Sequence, residues 1–157
     1  MLVEIACDKF VDQGIPRGPI AFKPGLNTIL GAERANNSIG KTTFLLVIDF
    51  CFGGSSYATI NGDIEEHVGE HVIKFAHSFL GTTHYFSRSF RGYKSVCICN
   101  QNYEPVKTIP LKEFNAWLQE QCELPSEDAT LRDLIHGFAR IYGLKNDDEK
   151  LPLKANE

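Results

Sequence analysis

No apolar run in the 157 residues approaches the roughly 20 that a membrane-spanning helix needs. The N-terminus, Met1 to Lys9, carries Glu4 and Asp8 where a secretory leader is basic and then apolar. A basic excess is missing as well. The 16 Lys and Arg stand against 20 Asp and Glu, a net charge of -4, so the chain as a whole exerts no global attraction on nucleic acid or anionic lipid. Five cysteines, an odd number at irregular spacing, make no disulfide framework and suit a reducing compartment. These absences predict a cytoplasmic protein with no membrane partner. Internal repeats, low-complexity stretches and heptad runs are also absent.

What is present is enough for one domain with a real core: 43% of residues are hydrophobic and 23% charged, both normal for a globular chain. Residues 2–10 alternate imperfectly and predict a strand. Asp12 to Pro19 is turn chemistry, Ile20 to Lys23 is short and extended, and Pro24-Gly25 is a turn signal. Leu26 to Leu30 then predicts a short buried strand running into Gly31. After a small-residue loop over 31–41, Thr42 to Phe52 predicts a helix that is apolar almost all round. Such a helix belongs mid-fold, covered on both sides, and Gly53-Gly54 stops it.

Residues 55–69 are polar and mixed. Val72–Leu80 and Thr83–Phe90 predict two strands around Gly81-Thr82, with His71, Ile73, Phe75, His77 and Phe79 on one face. Ser95–Asn100 predicts another, with a turn at 100–102. Pro110 opens a helix through Leu111, Phe114, Trp117, Leu118 and Gln121. A second helix is predicted over Thr130–Tyr142, with Gly143 as its stop; Trp117 and Phe138 read as core residues. Residues 1–143 form the expected domain, and 144–157 a charged, unpatterned tail.

The chemistry concentrates in the loop before the first helix. A phosphate-binding loop reads G-x-x-x-x-G-K-[ST] between a strand and a helix. Here Gly40, Lys41 and Thr42 match, and Ala35 stands at the first Gly. Phosphates approach successive backbone N–H groups closely, so the loop must be slim and conformationally free. Gly40 supplies that, and Asn36 and Asn37 tolerate left-handed backbone. With Ser38, Ile39 and Thr43 these residues form the candidate nucleotide site. The helix N-terminus aims partial positive charge at the phosphates, Lys41 would reach the β- and γ-phosphates, and the Thr42 hydroxyl would bind Mg²⁺.

The segment Phe22-Lys-Pro24-Gly25-Leu26-Asn27-Thr28-Ile29-Leu30-Gly31 resembles the "f-x-p-G-l-N-x-I-x-G" strand of SMC, RecF and RecN-type ATPases. Asn37-Ser-Ile-Gly40-Lys41-Thr42 resembles their "N-G-S-G-K-S/T" loop, departing at Ser38 and Ile39. Ile48 to Gly54 is similar to their "a-I-x-f-v-L-G" helix end, and Thr83 to Arg88 to their "g-k-x-Y-x-i-x-R" strand. Within that group, "A-x-N-S-I-G-K-T-T-F-L-L-x-I-D-F" most resembles bacterial SMC-like proteins with an uncharacterised C-terminal domain, some associated with anti-phage defence. The match covers residues 1–57 and thins beyond about residue 95.

The resemblance implies an α/β fold, the N-terminal half of an ABC-type P-loop ATPase head. It implies a mixed sheet around a buried P-loop helix, an antiparallel β-subdomain and C-terminal helices. ATP and Mg²⁺ are the implied cofactors. The implied partner is a complementary C-terminal lobe, or a second subunit, carrying the signature motif and the Walker B acids. Two heads pair as a homodimer or hetero-complex around two ATP molecules, and DNA is a further implied partner. Lys9 and Phe10 lie near where such proteins place residues around the nucleotide.

A Walker B site needs an apolar strand ending in Asp or Glu. Leu45-Leu46-Val47-Ile48-Asp49 imitates one but follows Lys41 on the same helix, so Asp49 reads as a structural polar group. Gly53-Gly54-Ser55-Ser56 imitates part of a signature motif on the wrong lobe. Gln119 and Gln121 fall on a predicted helix and make no glutamine loop. No catalytic residue is identified, and little or no ATP hydrolysis is expected of this chain alone. The alternative is a non-catalytic nucleotide-sensing or scaffold subunit that docks on a partner.

Weaker signals remain. Cys97 and Cys99 share a strand face but have no second pair for zinc. His67 and His71, among Glu65, Glu66 and Glu70, have helical spacing; a solvated acidic segment is the favoured account. His77 and His84 read as ordinary sheet residues. Arg88, Arg91 and Lys94, with Phe90 and Tyr93, make a candidate nucleic-acid contact, slightly less favoured than a solvated turn with two core aromatics.

Overall fold

The computed structural model describes residues 1–12, 14–29, 38–59 and 62–123. The N-terminal part holds β1 (Leu2–Ala6), β2 (Val11–Asp12), β3 (Ile15–Pro16) and β4 (Ile20–Ala21). The helices α1 (Ser38–Cys51), α2 (Ser56–Thr59) and α3 (Gly62–His67) follow. Then come β5 (Val72–Phe79), β6 (Thr82–Ser89), β7 (Ser95–Cys99), β8 (Pro105–Pro110) and α4 (Leu111–Gln121).

Six strands form one sheet in the order β4-β1-β5-β6-β7-β8, and every neighbouring pair is antiparallel. β2 and β3 pair separately as a small hairpin. The architecture is therefore α/β with an antiparallel sheet, where a mixed one was expected. β5 to β8 run as a meander of short connections, which antiparallel pairing allows. The expected strand over 26–30 is also not formed across its described part. Leu26 is 94% exposed, and Asn27 closes a loop instead. Its Oδ1 accepts from Lys23 N at 3.0 Å, and its Nδ2 donates to the Lys23 and Gly25 carbonyls at 2.8 and 3.1 Å.

The β5–β6 hairpin turns on Leu80 and Gly81, not Gly81 and Thr82, with Phe79 paired to Thr82. Both turn residues have positive φ, 49° and 80°, the twist that a two-residue hairpin demands. β8 was not anticipated. It is an edge strand with Ile109 alone buried, so it shows no alternation, and a proline stands at each end. At the other edge β4 is two residues long.

One sheet face carries the core. Ile5, Ile73, Phe75, His77, Phe86, Val96 and Ile109 are buried there with Leu46, Val47 and Phe50 of α1 and Phe114 and Leu118 of α4. Phe75 stacks on Phe86 at 5.6 Å, and both meet the Phe114 ring edge-on at 6.0 and 5.1 Å. α4 begins at Leu111, one residue after the expected start, with Pro110 as its N-cap and the last residue of β8. The second predicted helix and the charged tail lie outside the described residues.

α1 departs from expectation in two ways. It starts at Ser38, a turn before Thr42. It is also incompletely covered among the described residues: Leu46, Val47, Phe50 and Cys51 are buried, Phe44 and Ile48 are half-buried against the same core, and Leu45 is half-buried outside it.

Candidate functional site

α1 is fixed firmly at its C-terminal end. Gly53 N donates to Phe50 O at 3.1 Å and Gly54 N to Asp49 O at 2.9 Å, with Gly53 left-handed at φ 84°. That pairing closes the helix in a Schellman motif. Neither glycine has room for a side chain. A Cβ on Gly53 would stand 1.8 Å from Asn115 Oδ1, and one on Gly54 would stand 1.8 Å from Asp49 Oδ2.

Two sheet side chains donate to carbonyls at and just beyond this helix end. His77 Nε2 donates to Cys51 O at 3.1 Å. Arg88 Nη1 donates to Phe50 O at 2.8 Å and to Gly54 O at 2.7 Å, and Nε donates to Tyr93 O at 2.8 Å. The guanidinium lies 3.9 Å over the Phe50 ring. A cation at a helix C-terminus complements the macrodipole there. Burial holds His77 neutral, its pKa lowered to about 4 despite the carbonyl bond. Burial likewise pushes the Cys51 thiol well above its usual value, against the pull of Arg88, so it is no nucleophile.

The opposite end of α1 carries the candidate nucleotide residues. Asn36 and Asn37 lie outside the described residues. Ser38, Ile39, Gly40, Lys41, Thr42 and Thr43 are the first six residues of the helix. Gly40 is exposed, and a Cβ built on it meets nothing within 4 Å. It is helical, without the positive φ that the loop argument anticipated. Thr42 and Thr43 are half-buried. The first turn contains no acidic residue, so no side chain there offsets the partial positive charge of the N-terminal amides.

This end is held by rings. Phe22 stacks on Phe44 at 6.3 Å and 8°, and Phe10 meets Phe44 edge-on at 6.3 Å. Phe10 thus supports the helix start, while Lys9 is exposed. Asp49, 7% exposed, is eight residues beyond Lys41, about 12 Å along the axis at 1.5 Å per residue. It sits at the wrong end of the helix to act on a phosphate.

The candidate nucleic-acid trio does not form one basic surface. Arg88 is 1% exposed and spent on backbone carbonyls, which corrects its assignment as a nucleic-acid contact. Arg91 is exposed, but its Nε lies 3.2 Å from Glu65 and 3.8 Å from Glu70, which offset its charge. Lys94 is exposed, 6.0 Å from the centre of the Tyr93 ring. The His67/His71 spacing is not on one helix either. α3 ends at His67, and His71 is buried, with Nδ1 donating to Gly69 O at 2.7 Å and Nε2 accepting from the Tyr57 hydroxyl at 2.8 Å. Cys99 is buried against Ser87, Sγ to Oγ 3.4 Å. Among the described residues no three His, Cys, Asp or Glu side chains are grouped to hold a metal ion.

Sequence reasoning missed the device at the far end of α1. Arg88 and His77 lie on strands, and nothing in their spacing reveals that both cap a helix more than 25 residues upstream. The only hint was a charged residue at a core-facing strand position. Among the described residues no helix is long and apolar enough to cross a membrane. Comparison with family models, with curated proteins and with solved structures finds no match.

Proposed function

We propose that the chain is the ATP- and Mg²⁺-binding N-terminal lobe of an SMC-like ATPase head, acting in DNA maintenance, repair or anti-phage defence. The observation that carries this reading is the half-covered α1. A helix apolar almost all round buries Leu46, Val47, Phe50 and Cys51, while Phe44 and Ile48 stay half-buried at the edge of the core and Leu45 half-buried outside it among the described residues. Such a helix needs a second layer. A complementary C-terminal lobe, or a second chain, supplies it, together with the Walker B acids and the signature motif.

The division of labour follows. Backbone amides at the start of α1 hold the phosphates, Lys41 neutralises the β- and γ-phosphates, and the Thr42 hydroxyl takes Mg²⁺. The rigid capping at Gly53, His77 and Arg88 keeps the helix aimed. Orientation of the attacking water falls to the partner lobe, so turnover belongs to the assembled head, a homodimer or hetero-complex. The DNA partner rests on the family resemblance, without Arg88.

A second reading is a nucleotide-sensing or scaffold subunit. It is favoured by Ala35 at the first Gly and by the early helix start, which places Lys41 a turn inside α1. The test is calorimetric titration of ATP–Mg²⁺ into the chain and into Lys41→Ala, with and without the complementary lobe. Binding lost in the variant, and hydrolysis gained with the lobe, supports the first reading. Binding without turnover in the complete assembly supports the second. No binding even with the lobe present sinks both as nucleotide sites.

A further inference from the structure

A cleft of about 620 Å³ opens between α4 and the ends of β6 and β7, and no described residue of α1 lines it. Its size falls within the range of small-molecule sites, roughly 300–1,000 Å³. The walls are of two kinds. Phe86, Ile98, Ile109 and Trp117 make an apolar lining. Thr83, His84, Gln101 and Glu113 stand around it.

We infer that this cleft is a binding site for a flat, uncharged heteroaromatic ring of the nucleobase type. Charge narrows the class first. No Lys or Arg lines the cleft, and Glu113 is its one carboxylate, so a phosphate or other anion finds no partner. Geometry narrows it further. A polyol carries hydroxyls around its ring and would leave some of them unpaired against the apolar lining, which is costly. A heteroaromatic ring has apolar faces and polar edges, matching an apolar lining with a polar rim.

The lining aromatics are already ordered for such a ligand. Trp117 is braced by Phe86 at 5.1 Å, by Phe114 at 6.0 Å and by Phe79 at 5.7 Å, and stays half-buried. His84 meets it edge-on at 5.1 Å. Neither the His84 ring nor the Trp117 indole N–H has a hydrogen-bond partner among the described residues. Gln101 and Asn102 are exposed on the β7–β8 turn. That turn is held by Asn100, whose Oδ1 accepts from Asn102 N at 2.9 Å and Glu104 N at 3.0 Å. Asn100 is thus spent on shape, and its two neighbours are presented on a fixed backbone. Stacking on an aromatic side chain with the base edge read by amides is an established way of holding a base.

The test uses nucleosides, which lack the phosphates that the start of α1 would recognise, and the position of the shifts separates this cleft from the proposed ATP site. The full chain is titrated with adenosine, guanosine, cytidine and uridine while backbone amides and the indole N–H of Trp117, the only tryptophan, are followed by NMR. The expected result is saturable shifts by at least one nucleoside, confined to Thr83, His84, 98–102 and 113–117. Binding should weaken at least tenfold in Gln101→Ala or Glu113→Gln, both exposed substitutions. Three results overturn the inference: no shift at millimolar nucleoside, equal shifts from a methyl glycoside, or shifts mapping to 38–44 instead.

Discussion

Arg88 of β6 and Phe50 of α1, 38 residues apart, are joined twice: Nη1 donates to the Phe50 carbonyl at 2.8 Å, and the guanidinium lies 3.9 Å over its ring. Arg88→Ala removes the donors for the Phe50, Gly54 and Tyr93 carbonyls and leaves a cavity. The expected loss is about 3–5 kcal/mol, read as a lower urea midpoint. Arg88→Lys recovers less than half, because an ammonium lacks the planar fork that serves three carbonyls at once. Full recovery by lysine would show that charge alone matters.

His77 makes stability depend on pH. Its folded pKa, about 4, lies below the ordinary 6.5, so the unfolded chain binds its proton first as pH falls. The contribution is fully present above pH 6.5 and is lost progressively toward pH 4, roughly 3 kcal/mol in all. Urea unfolding at pH 7 and pH 4.5 should show this fall. His77→Gln, which keeps a donor but does not titrate, should flatten it. An equal slope in both proteins would assign the pH dependence elsewhere.

Gly54→Ala places a methyl where Asp49 Oδ2 now sits. The substitution should cost about 1–3 kcal/mol, as overpacking generally does. A double-mutant cycle with Asp49→Ala should show coupling of at least about 0.5 kcal/mol, since the two atoms compete for one space. Strict additivity would mean that the carboxylate moves aside freely.

Leu45 is half-buried on the open side of α1. Leu45→Glu should change the stability of the isolated chain by less than about 1 kcal/mol, as partly exposed substitutions usually do. In the presence of the complementary lobe it should abolish assembly, measured by sedimentation. Normal assembly by this variant would remove the argument from the half-covered helix.

Much of the fold was legible. The alternation from His71 to Phe79 placed the central strand and its buried face, and Pro110 placed α4. What failed did so for identifiable reasons. Leu26 to Leu30 has strand composition, but Asn27 satisfies local backbone groups and competes with pairing. β8 lies at an edge, where one buried residue gives no period to detect. The candidate site was legible as a motif, from Gly40 to Thr42, yet its support was not. Arg88 looked like a surface cation because sequence shows charge without showing which carbonyls wait for it. The cleft beside Trp117 left no linear trace, since its walls come from four separate elements, β6, β7, β8 and α4.

The two prolines that bound β8 have a consequence for how the molecule meets copies of itself. Val106, 69% exposed, sits on an outer strand, the setting in which sheets recruit further strands and grow into fibres. Pro105 and Pro110 lack an N–H, so an incoming strand would find no hydrogen-bond donor at either end of the rail. At the far edge β4 offers a rail only two residues long. Among the described residues, the six-stranded sheet therefore offers a growing fibre a poor template at both edges, and growth by strand addition is disfavoured at each.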